Sequence, residues 1–420
     1  MKVCVIGSGG REHALAWRLS ISPSVTKVYA IPGSAAMSDC AELVGIDWQQ
    51  SDHLISFLKD NQVDLVVVGP EAPLVAGLAD VLNKAGIPVF GPSKAAAQLE
   101  GSKVFAKDLM KKYNIPTAAY GVFHKVDEAK AFIAQTGAPI VVKADGLAAG
   151  KGVVVAMTID EANVAVEDML SGNRFGDAGS TVVIEEFMEG EEASLLAFVD
   201  GKTVVPMIAS QDHKRIFDGD KGPNTGGMGT YAPAPVLTDA LRDAAMKTIL
   251  EPMVAAMEKE GMPYVGCLYA GLMITDEGPK VVEFNARFGD PETQVVLPLL
   301  DSDLGEIMMA CAKGTLTSNM VKWKDSSAAC VILASKGYPE TSSKGDVISG
   351  DIKQYDTTIV FHSGTKLVGE NYVTNGGRVL GVVGLGKDLR TALDRAYKRI
   401  EHIDFEGMQY RTDIGAKAFK

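Results

Sequence analysis

The sequence predicts a multidomain fold of the α/β and α+β classes, with an open parallel α/β sheet first and a mainly β domain with a helix last. Three observations support this fold class. Of the 420 residues 46% are hydrophobic, which is enough to bury several cores. Strand and helix patterns alternate over about the first 100 residues, as in a parallel sheet with covering helices. From about residue 325 strand patterns dominate, and one helix follows them.

The first domain is predicted from a regular alternation of apolar segments. Open α/β sheets bind ligands at the carboxyl ends of their strands, and the loop at residues 69–74 (GPEAPL) lies at such an end. A Pro-rich loop that only caps a helix is the alternative there. The predicted strands are residues 2–6, 27–31, 64–68 and 89–90, and the predicted helices are residues 12–19, 52–60 and 74–85.

The first turn, residues 7–12 (GSGGRE), begins like the dinucleotide fingerprint G-x-G-x-x-G. Glu12 stands where the third glycine belongs, and the second strand ends at residues 31–33 (IPG) without an acidic residue for an adenosine ribose. Nicotinamide or flavin binding is therefore disfavoured. Gly9 and Gly10 instead predict a cradle for a smaller phosphorylated substrate, because the N–H groups at a helix N-terminus attract anions.

A second domain is predicted to begin at residues 101–103, which open a helix over residues 104–113. Two strand-like segments, residues 140–143 and 153–155, flank a glycine-rich loop. It is not a Walker A loop, because a strand follows it where a helix should. Glycines permit close approach of the backbone to phosphate, and Lys143 ends a strand that points to the same place. The loop therefore predicts phosphate binding, with an unliganded hairpin as the alternative.

Two further stretches indicate ligand contacts in this domain. An apolar strand runs into residues 185–188 (EEFM), a pattern typical of a hinge whose backbone pairs with a purine between the apolar walls of Phe187 and Met188. Residues 211–215 (QDHKR) are polar and basic, and a glycine-rich segment over residues 219–231 follows them. This order favours an anionic substrate under a mobile cover, and a solvated strand end is the alternative.

Residues 280–295 (KVVEFNARFGDPETQV) are the stretch on which the other motifs converge. On a strand with alternating faces, Glu283 and Asn285 point the same way. A carboxylate and an amide oxygen suit Mg²⁺, which takes one or two protein ligands and completes its coordination with water and phosphate oxygens. The alternative is an edge strand with solvated polar residues and an ordinary turn.

The remaining patterns complete the domain prediction. A long helix is expected over residues 238–260, with Thr238 as its N-cap and Gly261 as its stop. Strands at residues 192–199, 203–210 and 264–274 and a helix at 304–313 belong to the central domain. Strands at 328–334, 358–361 and 379–385 and a helix at 389–400 form the last domain, in which we identify no chemistry. The predicted domains are residues 1–101, 102–324, with a mobile subdomain at about 116–190, and 325–420.

The composition of the chain disfavours several classes of protein. The net charge of −12 argues against general nucleic-acid binding, so any anionic ligand needs a local cluster of Lys, Arg and N–H groups. No apolar run approaches the ~20 residues of a membrane span, and no signal-peptide pattern opens the sequence. The five cysteines lack C-x-x-C spacing, which favours reduced, packed thiols. We therefore expect a cytoplasmic protein.

A set of motifs, in one order along nearly the whole chain, resembles the ATP-grasp enzymes and, within them, the glycinamide ribonucleotide synthetase family (phosphoribosylamine–glycine ligases). The motifs are GSGGREHA at 7–14, GPEAPL at 69–74, KADGLAAGKGV at 143–153, EEFMEGEEAS at 185–194, DHKR at 212–215, GPNTGGMG at 222–229 and RFGDPE at 287–292 with Gln294. Each motif alone is a weak signal. Their order makes the resemblance specific and implies a central ATP-grasp domain.

The resemblance implies an ATP-dependent C–N ligase of de novo purine biosynthesis. Glycine would attack the γ-phosphate of ATP to give glycyl phosphate, and 5-phosphoribosylamine would displace phosphate to give glycinamide ribonucleotide. Positioning and charge neutralisation, by lysines and Mg²⁺ (or Mn²⁺), would promote the phosphoryl transfer. The implied partners are these small molecules, without nucleic acid or membrane, and a monomer is expected. Another ATP-grasp ligase, a dinucleotide-dependent oxidoreductase and a non-catalytic nucleotide-binding module stay open as alternatives.

The resemblance also assigns roles to single residues. The catalytic set is Arg287, Lys143, Asp212 and Lys214. The ATP-binding set is Lys103, Lys143, Gly150, Lys151, Gly152, Glu185, Glu186, Phe187, Met188 and, for the ribose hydroxyls, Glu192. The metal ligands are Glu283 and Asn285, and the substrate set is Gly9, Gly10, Glu71, Asp212, Lys214, Arg287, Asp290 and Pro291. Many ATP-grasp enzymes carry a further acidic ligand on the preceding strand, but residues 268–273 (LYAGLM) contain no carboxylate. The metal is therefore expected to arrive with the nucleotide.

Overall fold

The computed structural model describes residues 1–147, 152–171 and 180–419. The N-terminal region forms a five-stranded sheet in the order β3-β2-β1-β4-β5, and every pairing in it is parallel. The open parallel α/β sheet predicted from the sequence is thus confirmed. Its strands are β1 (Lys2–Gly7), β2 (Lys27–Pro32), β3 (Glu42–Leu43), β4 (Leu65–Val68) and β5 (Val89–Phe90), and its helices are α1 (Gly10–Ser20), α2 (Ser51–Asp60), α3 (Glu71–Ala76) and α4 (Leu78–Lys84).

One predicted helix of this domain is in fact two. The pattern over residues 74–85 predicts a single helix, but α3 ends before Gly77 and α4 begins after it. Gly77 adopts a φ of +97°, a left-handed conformation that glycine tolerates and that ends a helix. The prediction missed the break because the apolar spacing continues across it.

A four-stranded antiparallel sheet in the order β6-β9-β7-β8 forms a unit with its own core. Helices α7 and α8 cover it, and Ile133, Val142, Val166 and Ile184 lie in one buried cluster. The predicted strand–loop–strand unit is therefore an antiparallel pair, β7 with β8. The elements of this part are α5 (Gln98–Gly101), α6 (Lys103–Lys112), β6 (Tyr120–Phe123), α7 (Val126–Thr136), β7 (Ile140–Ala144), β8 (Val153–Ala156), α8 (Ile159–Ser171) and β9 (Val182–Glu186).

A second antiparallel sheet, in the order β11-β10-β16-β17, is formed by the central region of the chain. The predicted long helix exists, with Thr238 as its N-cap, but a π-helical turn at Met246–Leu250 joins its two α-helical parts. The elements here are β10 (Glu191–Asp200), β11 (Val204–Pro206), β12 (Gln211–Asp212), β13 (Arg215–Phe217), β14 (Lys221–Asn224), β15 (Gly229–Ala232), α9 (Asp239–Ala245), α10 (Glu251–Lys259), β16 (Val265–Thr275), β17 (Gly278–Asn285), α11 (Thr293–Val296) and α12 (Leu304–Lys313).

The C-terminal sheet includes two strands from the central region. Its order is β12-β15-β18-β23-β20, and β15 pairs with β18. Val5, Leu196 and Ile332, from the three regions of the chain, lie in one continuous buried cluster. The elements of the last region are β18 (Ser327–Ala334), β19 (Ser349–Gly350), β20 (Thr358–His362), β21 (Thr365–Val368), β22 (Asn371–Thr374), β23 (Arg378–Gly386), α13 (Leu389–Ile400) and β24 (Ile403–Asp404).

The flexible cover predicted for residues 219–231 is wrong over the parts that form strands. β14 pairs with β13, and all four residues of β15 are buried. A Cβ added to Gly229 would lie 2.8 Å from the Cys330 carbonyl oxygen and 2.7 Å from Ile414. The glycine is required for close packing at this position, and not for mobility.

Two general expectations concern membranes and thiols. Among the described residues, no helix has both the length and the apolar character that crossing a membrane requires. All five cysteines are unpaired and all but Cys40 are buried, as expected for packed thiols.

Candidate active site

Glu283 and Asn285 lie at the end of β17, opposite Gly271 and Tyr269 of β16. The Asn285 Nδ2 atom lies 3.4 Å from Glu283 Oε1, so the two side chains share one face of the strand as predicted. Within the described residues, no group of three or more His, Cys, Asp or Glu side chains is arranged to hold a metal ion. The donors present at this position are thus one carboxylate and one amide.

Three lysines surround Glu283. Burial alone would raise the pKa of its carboxyl group, but the charges of Lys214, Lys143 and Lys103 bring that pKa below its ordinary value. Lys103 donates from Nζ to the Gly146 carbonyl oxygen at 3.0 Å, and Lys143 donates to the Val282 carbonyl oxygen at 3.0 Å. Residues from α6, β7 and the segment after β12 therefore concentrate positive charge at the end of β17.

Lys143 is held in place by a buried carboxylate. Its Nζ lies 2.9 Å from Glu185 Oε1, and Lys107 Nζ lies 3.0 Å from Glu185 Oε2. Burial lowers the pKa of Lys107 to about 8, although Glu185 opposes this effect. The Glu185 side chain is engaged by two lysines, and its position pairs with both Tyr120 and Val141 inside the sheet. Its predicted adenine contact stays a prediction.

Lys107 contacts the same carboxylate as Lys143 and was not predicted from the sequence. It lies four residues after Lys103 in α6 and so shares a helix face with it. This spacing could have indicated that the two lysines lie near each other. Glu186 ends β9 and is exposed, and Phe187 and Met188 follow it and are half-buried. The predicted hinge at residues 185–188 therefore lies at the end of this strand.

A second cluster lies beside Glu283. Lys214 Nζ contacts Asp212 Oδ2 at 2.7 Å. Burial alone would lower the pKa of Lys214, but Asp212 and neighbouring acidic groups, Glu292 and Glu283 among them, raise it well above its ordinary value. A small cavity at this position is lined by Glu192, Ala193, Ser194, Asp212, Lys214, Tyr269, Gly271, Val282 and Glu283. The predicted ribose residue Glu192 and the predicted catalytic pair therefore line one cavity.

Glu292 belongs to the same cluster and was not predicted as a site residue. It accepts hydrogen bonds from Tyr269 Oη at 2.9 Å and from Ser194 Oγ at 3.2 Å. Burial raises the pKa of Glu292, although the Lys214 charge opposes this effect. Tyr269 and Ser194 thus fix the Glu292 carboxylate in a buried position beside Lys214.

Arg287 joins the N-terminal domain to the site. Its Nη2 lies 2.9 Å from Glu100 Oε1, and its Nε lies 3.4 Å from Glu71 Oε2. Burial alone would lower the pKa of this guanidinium group, but Glu100 and Glu71 raise it above its ordinary value. The structure therefore brings the predicted residues Glu71 and Arg287 together and adds Glu100, which the sequence analysis did not identify.

The first turn already engages one N–H group of the phosphate cradle predicted at Gly9 and Gly10. The Gly9 N–H donates to Glu12 Oε2 at 2.7 Å, and a Cβ on Gly69 would lie 2.3 Å from Glu12 Oε1. Gly10 is buried, and a Cβ there would lie 2.3 Å from Ser363 Oγ. Glu12 thus fills the crevice between β1 and β4 where a dinucleotide would place its phosphates, which argues against the oxidoreductase alternative.

Asp290 connects the site to the C-terminal domain. Its Oδ2 lies 3.2 Å from Arg378 Nη2, and its Oδ1 accepts a hydrogen bond from Gln294 Nε2 at 2.8 Å. Pro291 packs where Gly227 leaves room, because a Cβ on Gly227 would lie 2.5 Å from Pro291 Cδ. Arg378, a residue of the last domain that the sequence analysis did not identify, thus contacts a predicted substrate residue.

The glycine-rich loop is described only in part. Gly150 and Lys151, predicted to bind phosphate, lie outside the described residues. Gly152 is buried, and its carbonyl oxygen accepts a hydrogen bond from Ala144 N at 2.8 Å.

Known protein families match the N-terminal, central and C-terminal regions of this chain. Models of the phosphoribosylglycinamide synthetase N domain, ATP-grasp (A) domain and C domain match residues 1–100, 101–293 and 328–417. A phosphoribosylamine–glycine ligase of Halalkalibacterium halodurans is 53% identical over 418 residues, covering 100% of this chain and 97% of the relative.

Solved structures agree with the sequence match. The crystal structure of phosphoribosylamine–glycine ligase from Thermotoga maritima superposes with a TM-score of 0.87 at 34% identity, covering 99% of this chain and 100% of that one. The biotin carboxylase domain of a Hydrogenobacter thermophilus 2-oxoglutarate carboxylase, solved with MgADP, has a TM-score of 0.74 at 17% identity, with coverage of 97% and 91%, and shares the fold alone. The chain belongs to the phosphoribosylglycinamide synthetase family.

Proposed function

We propose that the enzyme ligates glycine to 5-phosphoribosylamine in de novo purine biosynthesis, with ATP as the energy source. A glycine carboxylate oxygen bonds to the γ-phosphorus and ADP leaves. The substrate amine then bonds to the acyl carbon of glycyl phosphate, loses a proton, and phosphate leaves. The observation that carries this proposal is the family membership over the full chain, together with the three lysines that converge on Glu283.

The lysines would supply the charge neutralisation that phosphoryl transfer requires. Lys103 and Lys143 are placed to face the triphosphate, because both lie beside Glu283 and next to the start of the glycine-rich loop. Glu185 and Lys107 would act through Lys143 by fixing its ammonium group. In the same proposal, residues 185–188 bind adenine, Glu192 binds the ribose hydroxyls, and Gly150, Lys151 and Gly152 bind the phosphates.

A divalent metal fits the residues at the end of β17. Glu283 and Asn285 offer one carboxylate and one amide oxygen, a donor set that leaves most of an octahedron to phosphate oxygens and water. The metal, Mg²⁺ or Mn²⁺, would help to neutralise the charge of the phosphates of bound ATP.

The second cluster would bind the glycine and the acyl phosphate. Lys214 is a fixed cation beside Glu283, and Asp212 orients it at 2.7 Å. Arg287, held by Glu71 and Glu100, would place the N-terminal domain against the second substrate, which Asp290 and Pro291 would also contact. Gly9 and Gly10 would lie towards the same substrate.

The enzyme is organised in three domains. Domains at residues 1–101, 102–324 and 325–420, with a mobile subdomain at about 116–190, are supported by the family-model limits and by the separate core of the β6-β9-β7-β8 sheet. β12 and β15 are exceptions, because they lie in the C-terminal sheet. We further propose that the enzyme works as a monomer in the cytoplasm.

The test is ADP release measured with all substrates and with each one omitted. ADP should form only when ATP, a divalent metal, glycine and 5-phosphoribosylamine are all present, and glycinamide ribonucleotide should form in equal amount. Release at the same rate without glycine would contradict the proposal. Activity with another carboxylate and not with glycine would favour a different ATP-grasp ligase.

A further inference from the structure

A cavity of about 340 Å³ lies between the N-terminal sheet and the C-terminal domain. The turns that follow β1 and β2 form one wall, and the β20–β21 turn with the start of β21 forms the other. The cavity therefore opens at the carboxyl edge of the parallel sheet, where sheets of this type bind ligands. It is separate from the crevice between β1 and β4, which Glu12 fills.

The lining of the cavity is suited to an anion. None of the ten residues that line it carries a carboxylate, although the whole chain has a net charge of −12. Hydroxyl and amide groups and one ammonium group are the polar groups of the lining, and all of them can donate hydrogen bonds to an anion. The side chains that offer these groups belong to Ser8, Ser34, Ser363, Thr365, Lys366 and Asn375.

Ser34 offers the cavity a hydroxyl group that can donate a hydrogen bond to a ligand. Its Oγ atom is buried and has no hydrogen-bond partner in the part of the chain that the structure describes. Ser34 stands at the N-cap of the 3₁₀ helix Ala35–Asp39, yet its side chain makes no capping bond. A buried hydroxyl without a partner is unfavourable, so a ligand that accepts its hydrogen bond gains from the contact.

The cavity wall is in contact with the second-substrate side of the active site. Ser363 Oγ packs directly against Gly10. Gln294 Nε2 packs against the same glycine, 2.9 Å from the position that a Cβ added to Gly10 would take. Gln294 in turn donates to Asp290 at 2.8 Å. A substrate with a phosphate at one end and an amine at the other could therefore extend from the cavity towards Asp290.

We propose that this cavity binds a sugar phosphate monoester, namely the 5-phosphate of phosphoribosylamine, with Lys366 and Ser34 as its specificity residues. The substrate assignment rests on the function proposed above. The cavity adds to the cradle predicted at Gly9 and gives the C-terminal domain a binding role.

The test measures binding of ribose 5-phosphate by calorimetry, with ribose and inorganic phosphate as separate probes. Ribose 5-phosphate should bind more tightly than inorganic phosphate, and ribose should not bind. Lys366→Glu should weaken ribose 5-phosphate at least about tenfold, because it places a carboxylate in the cavity. Lys344→Glu, an exposed lysine of the same domain outside the cavity, is the matched control and should bind like the wild type.

Ser34→Ala separates a binding role from a structural one. Because the hydroxyl has no partner among the residues that the structure describes, the variant should unfold at the wild-type temperature while binding ribose 5-phosphate several-fold more weakly. Unchanged binding in both cavity variants, or equal affinity for ribose 5-phosphate and inorganic phosphate, would overturn the proposal.

Ligase kinetics distinguish this proposal from the proposed function. A raised KM for 5-phosphoribosylamine in Lys366→Glu, with the KM values for ATP and glycine unchanged, supports both. If wild-type ligation is observed and Lys366→Glu has the same KM, the cavity assignment fails alone. If ribose 5-phosphate binds as expected but no ligation occurs, the proposed function fails and the sugar phosphate site stands.

Discussion

Lys143 and Glu185 form a buried ion pair at 2.9 Å, and each side chain is at most 6% exposed. Lys107 contacts the same carboxylate from the other side at 3.0 Å. The two lysines and the carboxylate together carry one net positive charge, and Lys143 places it beside Glu283. We therefore expect substitution of Glu185 to lower the stability of the protein and substitution of the lysines to change its activity.

Glu185→Gln should lower the free energy of unfolding by about 3–5 kcal/mol, because two buried ammonium groups then share no counter-charge. Urea unfolding of the variant and the wild type measures the difference. Glu186→Gln is the matched control, since Glu186 is the next residue of the same strand but is exposed. Equal midpoints for Glu185→Gln and Glu186→Gln would mean that the lysines do not depend on Glu185.

Lys107→Arg should extend the activity of the enzyme to higher pH. The pKa of Lys107 is about 8, so above that pH it loses its charge and Glu185 attracts Lys143 alone, which withdraws positive charge from the nucleotide. The kcat of the wild type should then fall as pH rises through about 8. Arginine keeps its charge throughout this range.

The measurement is kcat against pH for the wild type, Lys107→Arg and Lys112→Arg. Lys112 lies on the same helix but is exposed, and its substitution should leave the profile unchanged. A fall of kcat at the same pH in all three proteins would exclude Lys107 as its cause.

Lys143→Ala should lower kcat on the order of 10²-fold, because it removes one fixed charge from the developing transition state. The KM for ATP should change little, since Lys103 still faces the nucleotide. Steady-state kinetics at saturating glycine separate the two parameters. A raised KM for ATP with an unchanged kcat would make Lys143 a docking group only.

Glu283→Gln should reduce turnover by orders of magnitude with the fold intact, whereas Asn285→Asp should retain activity with an altered preference between Mg²⁺ and Mn²⁺. Glu283 supplies the only charge of the predicted pair, and Asn285 supplies a neutral oxygen. Calorimetry of Mg²⁺ with and without a non-hydrolysable ATP analogue completes the test. Tight binding to the nucleotide-free enzyme would instead require a further carboxylate, and Asp290 and Glu292 are the nearest in sequence.

Local patterns predicted most of the elements because each is set by residues close in sequence. The last helix begins and ends at the predicted residues, 389 and 400, where Asp388 caps it. The shared direction of Glu283 and Asn285 follows from the two-residue period of a strand. Both features need no information from distant parts of the chain.

The features that the sequence did not reveal depend on distant contacts. β15 lies between β12 and β18, and β18 comes about 100 residues later in the chain. Glu185 belongs to an apolar strand whose end resembles a hinge, and only the approach of Lys107 and Lys143 from other elements shows its ionic role. The same holds for Arg378, whose partner Asp290 lies in another domain.

The pairing of β15 with β18 also has a consequence for synthesis on the ribosome. The buried strand Gly229–Ala232 has no neighbour on the β18 side until residues 327–334 have left the exit tunnel. Tyr231 and Ala232 therefore stay exposed to solvent, or to chaperones, while almost 100 further residues are added. A nascent chain arrested before residue 327 should be recognised by holdase chaperones and cut by proteases near residue 229, and one extended beyond β23 should be protected.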